Sequence, residues 1–235
     1  MAPQRARRET SQGTPGETPR GTPRGTLLVI AKEPVPGRVK TRLTPPFTPQ
    51  EAARLAEAAL ADTLAAAAAA PVARRVLVLD GRPGPWVLPG FEVVPQAAGG
   101  LDERLAAAFA GAADGPALVI GMDTPQVTPG LLAQGLDFTS ADAWFGPAED
   151  GGFWALGLAA PDPDLLRGVP MSVPETGREQ RRRLTDAGLT VRDLPVLRDV
   201  DRADDARAVA ALAPDGRFAA LHAELLGAAV EEAAR

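Results

Sequence analysis

Three times before residue 121 the chain carries an uninterrupted apolar run of strand length: Leu27-Leu28-Val29-Ile30-Ala31, Val76-Leu77-Val78-Leu79 and Ala117-Leu118-Val119-Ile120. Runs this short, without polar alternation, fit strands covered on both faces, as in a parallel sheet clad by helices. The stretches between them are largely helical. Thr48-Pro49-Gln50-Glu51 supplies an N-cap, a proline at the first helical position and the glutamate of a capping box, opening an Ala/Leu-rich helix to about Ala70, where Pro71 stops it. Within it, Ala65 to Ala70 reads as helix filler. Phe91-Glu92-Val93-Val94 is a weaker strand, Leu101 to Gly111 a helix, and Thr128-Pro129 the start of another short one. Strand and helix alternating in this order predict an α/β fold with a mostly parallel sheet, right-handed crossovers and helices on both faces.

After Gly135 the rhythm changes. Asp142-Ala143-Trp144-Phe145-Gly146 and Phe153-Trp154-Ala155-Leu156-Gly157-Leu158 are strand-like runs separated only by a short polar loop, which predicts an antiparallel excursion. A helix from about Pro174 to Ala187 ended by Gly188, a strand near Val191 to Val196 and helices from Ala203 complete one domain over residues 26–235. Residues 1–25 differ in kind. They hold four prolines, four glycines and a Thr-Pro-x-Gly-like repeat, with no large apolar side chain after Met1, and are expected to be a disordered tail.

Composition narrows the function classes. With 25 basic and 30 acidic residues the chain carries −5, and its tail holds five arginines against Glu9 and Glu17, a net of +3, so the remainder carries −8. That sign opposes broad binding to nucleic acid or to an anionic membrane surface. Cysteine is absent, which removes disulfides, zinc–thiolate sites and Cys nucleophiles together. No apolar run approaches the length of a membrane span, and the N-terminal arginines have no apolar stretch behind them, so a cytoplasmic protein is expected. Gly-x-Gly-x-x-Gly and Gly-x-Ser-x-Gly are both missing, and the single histidine, His222, lies in a C-terminal amphipathic helix, which excludes a His-dependent triad. The run Arg181-Arg182-Arg183 reads as the solvated face of a helix.

In an open α/β sheet ligands bind beyond the carboxyl ends of the strands, and four such loops are unusual. The loop after the first strand, Lys32-Glu33-Pro34-Val35-Pro36-Gly37-Arg38-Val39-Lys40-Thr41-Arg42-Leu43, concentrates cations in a Pro/Gly-shaped turn. That is the composition of a phosphate cradle, although the Walker spacing fails and a solvated basic loop is the competing reading. Gly99-Gly100-Leu101-Asp102-Glu103-Arg104 enters a helix with two glycines and a cation in the first turn, where anions bind; an ordinary loop-to-helix junction is the alternative. Gly121-Met122-Asp123-Thr124-Pro125 places a carboxylate at the end of a buried strand, suited to Mg²⁺ or Mn²⁺ carried by a diphosphate, or else to capping the next turn. Gly146-Pro147-Ala148-Glu149-Asp150-Gly151-Gly152-Phe153-Trp154 combines adjacent acids with a hairpin signal. Asp199-Val200-Asp201 offers two further acids on one face if extended, with Asp201 equally suited to cap the following helix.

Occurring together and in this order, the Lys32–Leu43 loop, Gly121–Pro125, Gly146–Trp154, Leu194-Pro195 and Asp199–Asp201 closely resemble the bacterial rSAM/selenodomain-associated transferase family, some members of which are linked to arsenosugar biosynthesis. The resemblance spans about residues 26 to 210. It implies a single GT-A domain of the nucleotide-diphospho-sugar transferase superfamily, a Rossmann-like three-layer α/β/α sandwich. It also implies that Gly37, Arg38 and Lys40 hold the nucleotide diphosphate, that Asp123 stands at the metal-binding aspartate and that Asp150 is the acceptor-side acid; the loop readings above add Lys32, Arg42 and Arg104 to the phosphate site and Asp201 to the metal. Where the family carries Trp-Ser-Thr, this chain reads Met171-Ser172-Val173. The expected activity is therefore Mg²⁺- or Mn²⁺-dependent transfer of a sugar from a nucleotide-sugar donor to a small-molecule acceptor, with no nucleic acid or membrane partner. Two alternatives stand beside it: a nucleotidyltransferase acting on a nucleoside triphosphate and a phosphorylated small molecule, and a non-catalytic nucleotide-sensing domain.

Overall fold

The computed structural model describes residues 25–233, so the tail expected over residues 1–25 lies outside the described residues save for Gly25. Seven strands form one sheet: β1 (Thr26–Lys32), β2 (Arg74–Asp80), β3 (Glu92–Pro95), β4 (Ala117–Gly121), β5 (Ala143–Pro147), β6 (Phe153–Leu158) and β7 (Val191–Asp193). Their order across the sheet is β3-β2-β1-β4-β6-β5-β7. Only β6 runs against its neighbours, pairing antiparallel with β4 and β5. The flanking helices are α1 (Pro49–Ala69), α2 (Leu101–Ala110), α3 (Pro129–Gly135), α4 (Thr176–Asp186), α5 (Ala203–Leu212) and α6 (Arg217–Ala233). The architecture is the α/β/α, Rossmann-like sandwich expected, including the antiparallel excursion.

Side chains alternate across a strand, so each apolar run feeds two cores at once. Leu27, Val29, Leu77, Leu118 and Ile120 pack with Leu60 and Leu64 of α1 and Leu132 of α3. Leu28, Val76, Val78 and Val119 face the other way, onto Leu105 and Phe109 of α2 and Leu184 of α4. The alanines ending α1 are more than filler. Ala66, Ala67 and Ala70 are buried against the sheet, and the Arg75 guanidinium donates to the carbonyls of Ala67 and Ala70 at 2.9 and 2.6 Å, adding to the backbone N–H of Ala70 and of Val72 that these helix-end acceptors also receive.

A third cluster lies beyond α1. Leu43, Phe47, Leu55, Val200, Val209, Phe218 and Leu225 join α1 to α5 and α6. His222 is buried there between Phe47 and Phe218, with ring centroids 5.9 and 6.3 Å away. Burial first, then the nearby Arg207, hold its pKa below the ordinary histidine value. This cluster positions the functional loops, because Leu43 pins the segment following β1 and Val200 pins the segment following β7.

Two boundaries differ from expectation. The last strand stops at Asp193 rather than Val196: the Leu194 N–H still reaches the Phe145 carbonyl at 2.8 Å, but Pro195 has no N–H to continue the ladder, which resumes only as a lone bridge between Ala148 and Leu197. α4 begins two residues later than Pro174, at Thr176. Arg181 and Arg182 form ion pairs with Asp193, Glu179 and Asp186 along exposed surface, as a solvated face would. Among the described residues no helix is long and apolar enough to cross a membrane.

Candidate active site

The chain winds outward from β1 through β2 to β3, then returns to lay β4 on the other side of β1. Loops leaving β1 and β4 therefore part in opposite directions, and the crevice between them is where a sheet of this kind accepts ligands. A cleft of about 710 Å³ opens there. Lys32, Arg38, Lys40, Arg42, Arg104, Asp123, Asp150 and Asp201 all line it. Gly37 does not. It makes a left-handed turn at φ +75° with open space about its Cβ position, beside a smaller hollow lined by Val39, Thr44, Pro49 and Ala52. Gly37 thus lies just outside the cleft that its neighbours Arg38 and Lys40 line.

At the centre stands Lys40, itself in the left-handed region at φ 48°. A non-glycine residue held there stores on the order of 1 kcal/mol, so neighbouring contacts must fix it. They do. The Leu43 N–H donates to the Lys40 carbonyl at 2.9 Å, and the Lys40 side chain is only 9% exposed, with Nζ 2.7 Å from Asp123 Oδ1 and 3.3 Å from Asp201 Oδ1. Arg42 reaches the other Asp201 oxygen at 3.2 Å. Burial alone would depress the Lys40 ammonium; the carboxylates of Asp123 and Asp201 outweigh it and hold its pKa above the ordinary lysine value.

The acids owe their positions to Val200. Its side chain is buried in the third cluster and its N–H donates to the Asp123 carbonyl at 2.9 Å, which ties the segment after β7 to the end of β4. Asp199 and Asp201, on either side of it, both line the cleft. Asp201 is therefore not the cap of α5: the first turn is closed by Asp205, which accepts the Arg202 N–H at 2.8 Å, while Asp201 is drawn to Lys40 and Arg42.

Asp199 is the member whose weight the sequence did not reveal. Its Oδ1 is buried with no hydrogen-bond partner. Burial, then the like charges of Asp123 and Asp150, partly offset by Lys40, push its carboxyl up to about 7. The folded protein thus keeps a proton that the unfolded chain releases near pH 3.8. Stability from this group is full below that pH, falls as pH rises towards 7 and then levels off, since the unfolded state binds fewer protons across the window. Asp199→Asn, which is never charged, is expected to flatten this dependence: thermal unfolding between pH 5 and 8 should show the wild type losing ground to the variant as pH rises. Parallel curves would refute the assignment.

Asp150 occupies the turn between β5 and β6, as the hairpin reading requires, and it also lines the cleft. The Ala148 N–H reaches the Gly152 carbonyl at 3.1 Å, and Asp150 Oδ1 accepts the Gly152 N–H at 2.8 Å. Arg104 lies in the first turn of α2 but folds back along its own loop, donating to the Gly99 carbonyl at 3.0 Å and to Gln96 Oε1 at 3.3 Å and pairing with Asp80 at 3.4 Å. Gln96 was not singled out from the sequence. It follows β3 directly, so the rule that sites lie in loops after strands could have found it; its Nε2 donates to the carbonyls of Ala31 and Val78 at 2.7 and 3.2 Å. Thr124, whose buried Oγ1 has no partner, lines the cleft as well, as do Met171, Ser172 and Val173, which stand where the resembled family carries Trp-Ser-Thr; Thr176 beside them was not singled out from the sequence.

The donor set suits a hard cation shared with a substrate. Among the described residues no three His, Cys, Asp or Glu side chains converge closely enough to hold a metal alone. Mg²⁺ is commonly held by one or two carboxylates, with phosphate oxygens and water completing the shell. Asp123 and Asp201, already gathered about one ammonium group, can supply that share.

Comparison with known proteins shows which of them share this fold. A protein from Desulfovibrio desulfuricans G20, named provisionally as a nucleotide-diphospho-sugar transferase, superposes with a TM-score of 0.77 at 25% identity, over 85% of this chain and 94% of that one. A nucleotidyl transferase from Methanothermobacter (TM-score 0.52, 16% identity, 79% and 95% covered) and the 2-C-methyl-D-erythritol 4-phosphate cytidylyltransferase of Thermus thermophilus (0.51, 18%, 81% and 98%) share the fold. No curated protein matches the chain. Residues 52–173 match the family model described as "Uncharacterized protein conserved in bacteria (DUF2064)".

Proposed function

The chain belongs to the DUF2064 family of bacterial proteins, and we propose that it is a divalent-metal-dependent transferase moving a sugar from a nucleotide-diphospho-sugar to a small-molecule acceptor. One observation carries the reading: a cationic turn after β1 and an aspartate after β4 meet across the sheet's switch point, with Lys40 Nζ 2.7 Å from Asp123. The likeness to the Desulfovibrio protein, at 25% identity, supports the donor class. The resemblance to the rSAM/selenodomain-associated transferases points the same way.

Asp123 and Asp201 would hold Mg²⁺ or Mn²⁺. That ion would supply positive charge against the diphosphate oxygens of the leaving nucleoside diphosphate. Arg38, Lys40 and Arg42 would donate to the same oxygens, with Lys32 and Arg104 set further along the nucleotide. Asp150 would orient the acceptor hydroxyl and take its proton as the acceptor oxygen bonds to the anomeric carbon and the bond to the diphosphate breaks.

Incubation with Mn²⁺ and either nucleoside triphosphates or nucleotide sugars tests the proposal. Release of nucleoside diphosphate from a nucleotide sugar is the expected result. Pyrophosphate release from a triphosphate would instead favour nucleotidyl transfer, and binding without turnover in both arms a sensing domain.

A further inference from the structure

Cations line one part of the cleft and none of the rest. Among the described residues its basic lining side chains are Lys32, Arg38, Lys40 and Arg42, from β1 and the turn after it, and Arg104, at the start of the helix after β3. The lining on the β6 side, from the β5–β6 turn, the start of β6 and the segment entering α4, comprises Asp150, Phe153, Met171, Ser172, Val173 and Thr176 and holds no cation; just before that segment the Gly168 N–H donates to Asp102 of α2 at 2.8 Å. Basic side chains exist on that flank but are engaged elsewhere: Arg178 with Glu179, Arg181 with Asp193, Arg182 with Glu179 and Asp186, and Arg198 with Glu149. None of these four lines the cleft.

This wall is built to hold its shape. The Gly177 N–H donates to the Gly151 carbonyl at 2.8 Å, and a methyl group on Gly151 would lie 2.2 Å from the Pro174 oxygen, so the segment carrying Ser172 and Val173 rests directly on the Asp150 turn. Thr176 braces it from within, its Oγ1 accepting the Val173 N–H at 3.2 Å and donating to the Pro170 carbonyl at 2.8 Å. Ser172 is held in the left-handed region at φ 61°, a conformation that persists only where its surroundings impose it.

From this division of charge and apolar surface we infer that the acceptor is an uncharged, hydroxyl-bearing molecule with an apolar portion, and not a phosphorylated one. The inference rests on the donor lying at the cationic half, as proposed above. A phosphate placed beyond β6 would meet the Asp150 carboxylate and an apolar wall with no charge-assisted donor, an unfavourable pairing of like charges. A hydroxyl can be held by Asp150, while an alkyl or ring carbon portion covers Phe153, Met171 and the exposed Val173.

Ligand-observed NMR on the full chain with Mg²⁺ and a saturating nucleoside diphosphate tests this, with hexyl β-D-glucopyranoside and glucose 6-phosphate as the paired probes. The alkyl glucoside is expected to bind at least about tenfold more tightly than the sugar phosphate. Val173→Lys, at an exposed position where folding is little affected, is expected to narrow the gap about tenfold. Equal or tighter binding of glucose 6-phosphate to the wild type would overturn the inference, as would failure of both probes while the nucleoside diphosphate still binds. Failure of the nucleoside diphosphate itself would reject the donor reading and this inference with it.

Discussion

Asp123→Ala is expected to abolish the Mn²⁺-dependent stabilisation of the protein by nucleoside diphosphates while leaving it folded. The side chain stands at the mouth of the cleft, 40% exposed, so its loss opens no core cavity. What ties the β4 end to Val200 is the Asp123 backbone carbonyl, which alanine retains. A ligand at a hundred times its dissociation constant stabilises the native state by about 2.7 kcal/mol, and a chain of this size gains about 2–4 °C in melting temperature per kcal/mol. The wild type should therefore shift upward by roughly 5–10 °C with nucleotide and Mn²⁺ together, and the variant should not shift. The same substitution removes one of the charges that raise the Asp199 pKa, so in the variant that carboxyl should titrate lower. An undiminished shift would mean that Asp123 holds no metal–nucleotide complex.

Gly151→Ala should produce the largest loss of stability at the site. Two effects add. The residue sits at φ +90°, where a side chain is strained by about 1–3 kcal/mol, and the new methyl would meet the Pro174 carbonyl oxygen at 2.2 Å, an overpacking cost of about 1–3 kcal/mol more. Together these lower the melting temperature by on the order of 10 °C. Gly188→Ala is the matched control: φ +80°, but open space at the Cβ position, so strain acts alone. If the two variants melt together, the contact between the Asp150 turn and the Pro174 segment contributes nothing. Donor binding should survive in Gly151→Ala, because the cations line the other half of the cleft.

Much of the architecture was legible residue by residue. The capping box at Thr48 and Glu51 is present, with the Glu51 N–H donating to Thr48 Oγ1 at 3.3 Å and Glu51 Oε2 accepting the Thr48 N–H at 2.8 Å. The three apolar runs are β1, β2 and β4, buried on both faces because their alternate residues enter different cores. The loops after β1 and β4 were also identifiable, since Pro and Gly shape them and their charges stand out against apolar strands. Gly37 shows the limit of composition: the turn needs it, yet it lies outside the cleft its neighbours line.

Asp201 and Asp199 mark a second limit. The choice between helix cap and cleft acid at Asp201 was open because both demand only an Asp before a helix. It was decided by Lys40 and Arg42, which approach from 161 and 159 residues away. Asp199 gave no local sign of being the protonated member, since its pKa reflects burial and the summed field of Asp123, Asp150, Lys40 and Asp201.

Sequence alone determined the strand and helix succession, the parallel sheet and the loops able to carry charge, because propensity, capping and side-chain alternation act over a few neighbouring residues. Tertiary structure alone decided which charges meet, which carboxyl keeps its proton and which half of the cleft lacks cations. Electrostatic and desolvation energies depend on distance through space, and the folded chain brings Lys40 within 3.3 Å of Asp201, 161 residues further on.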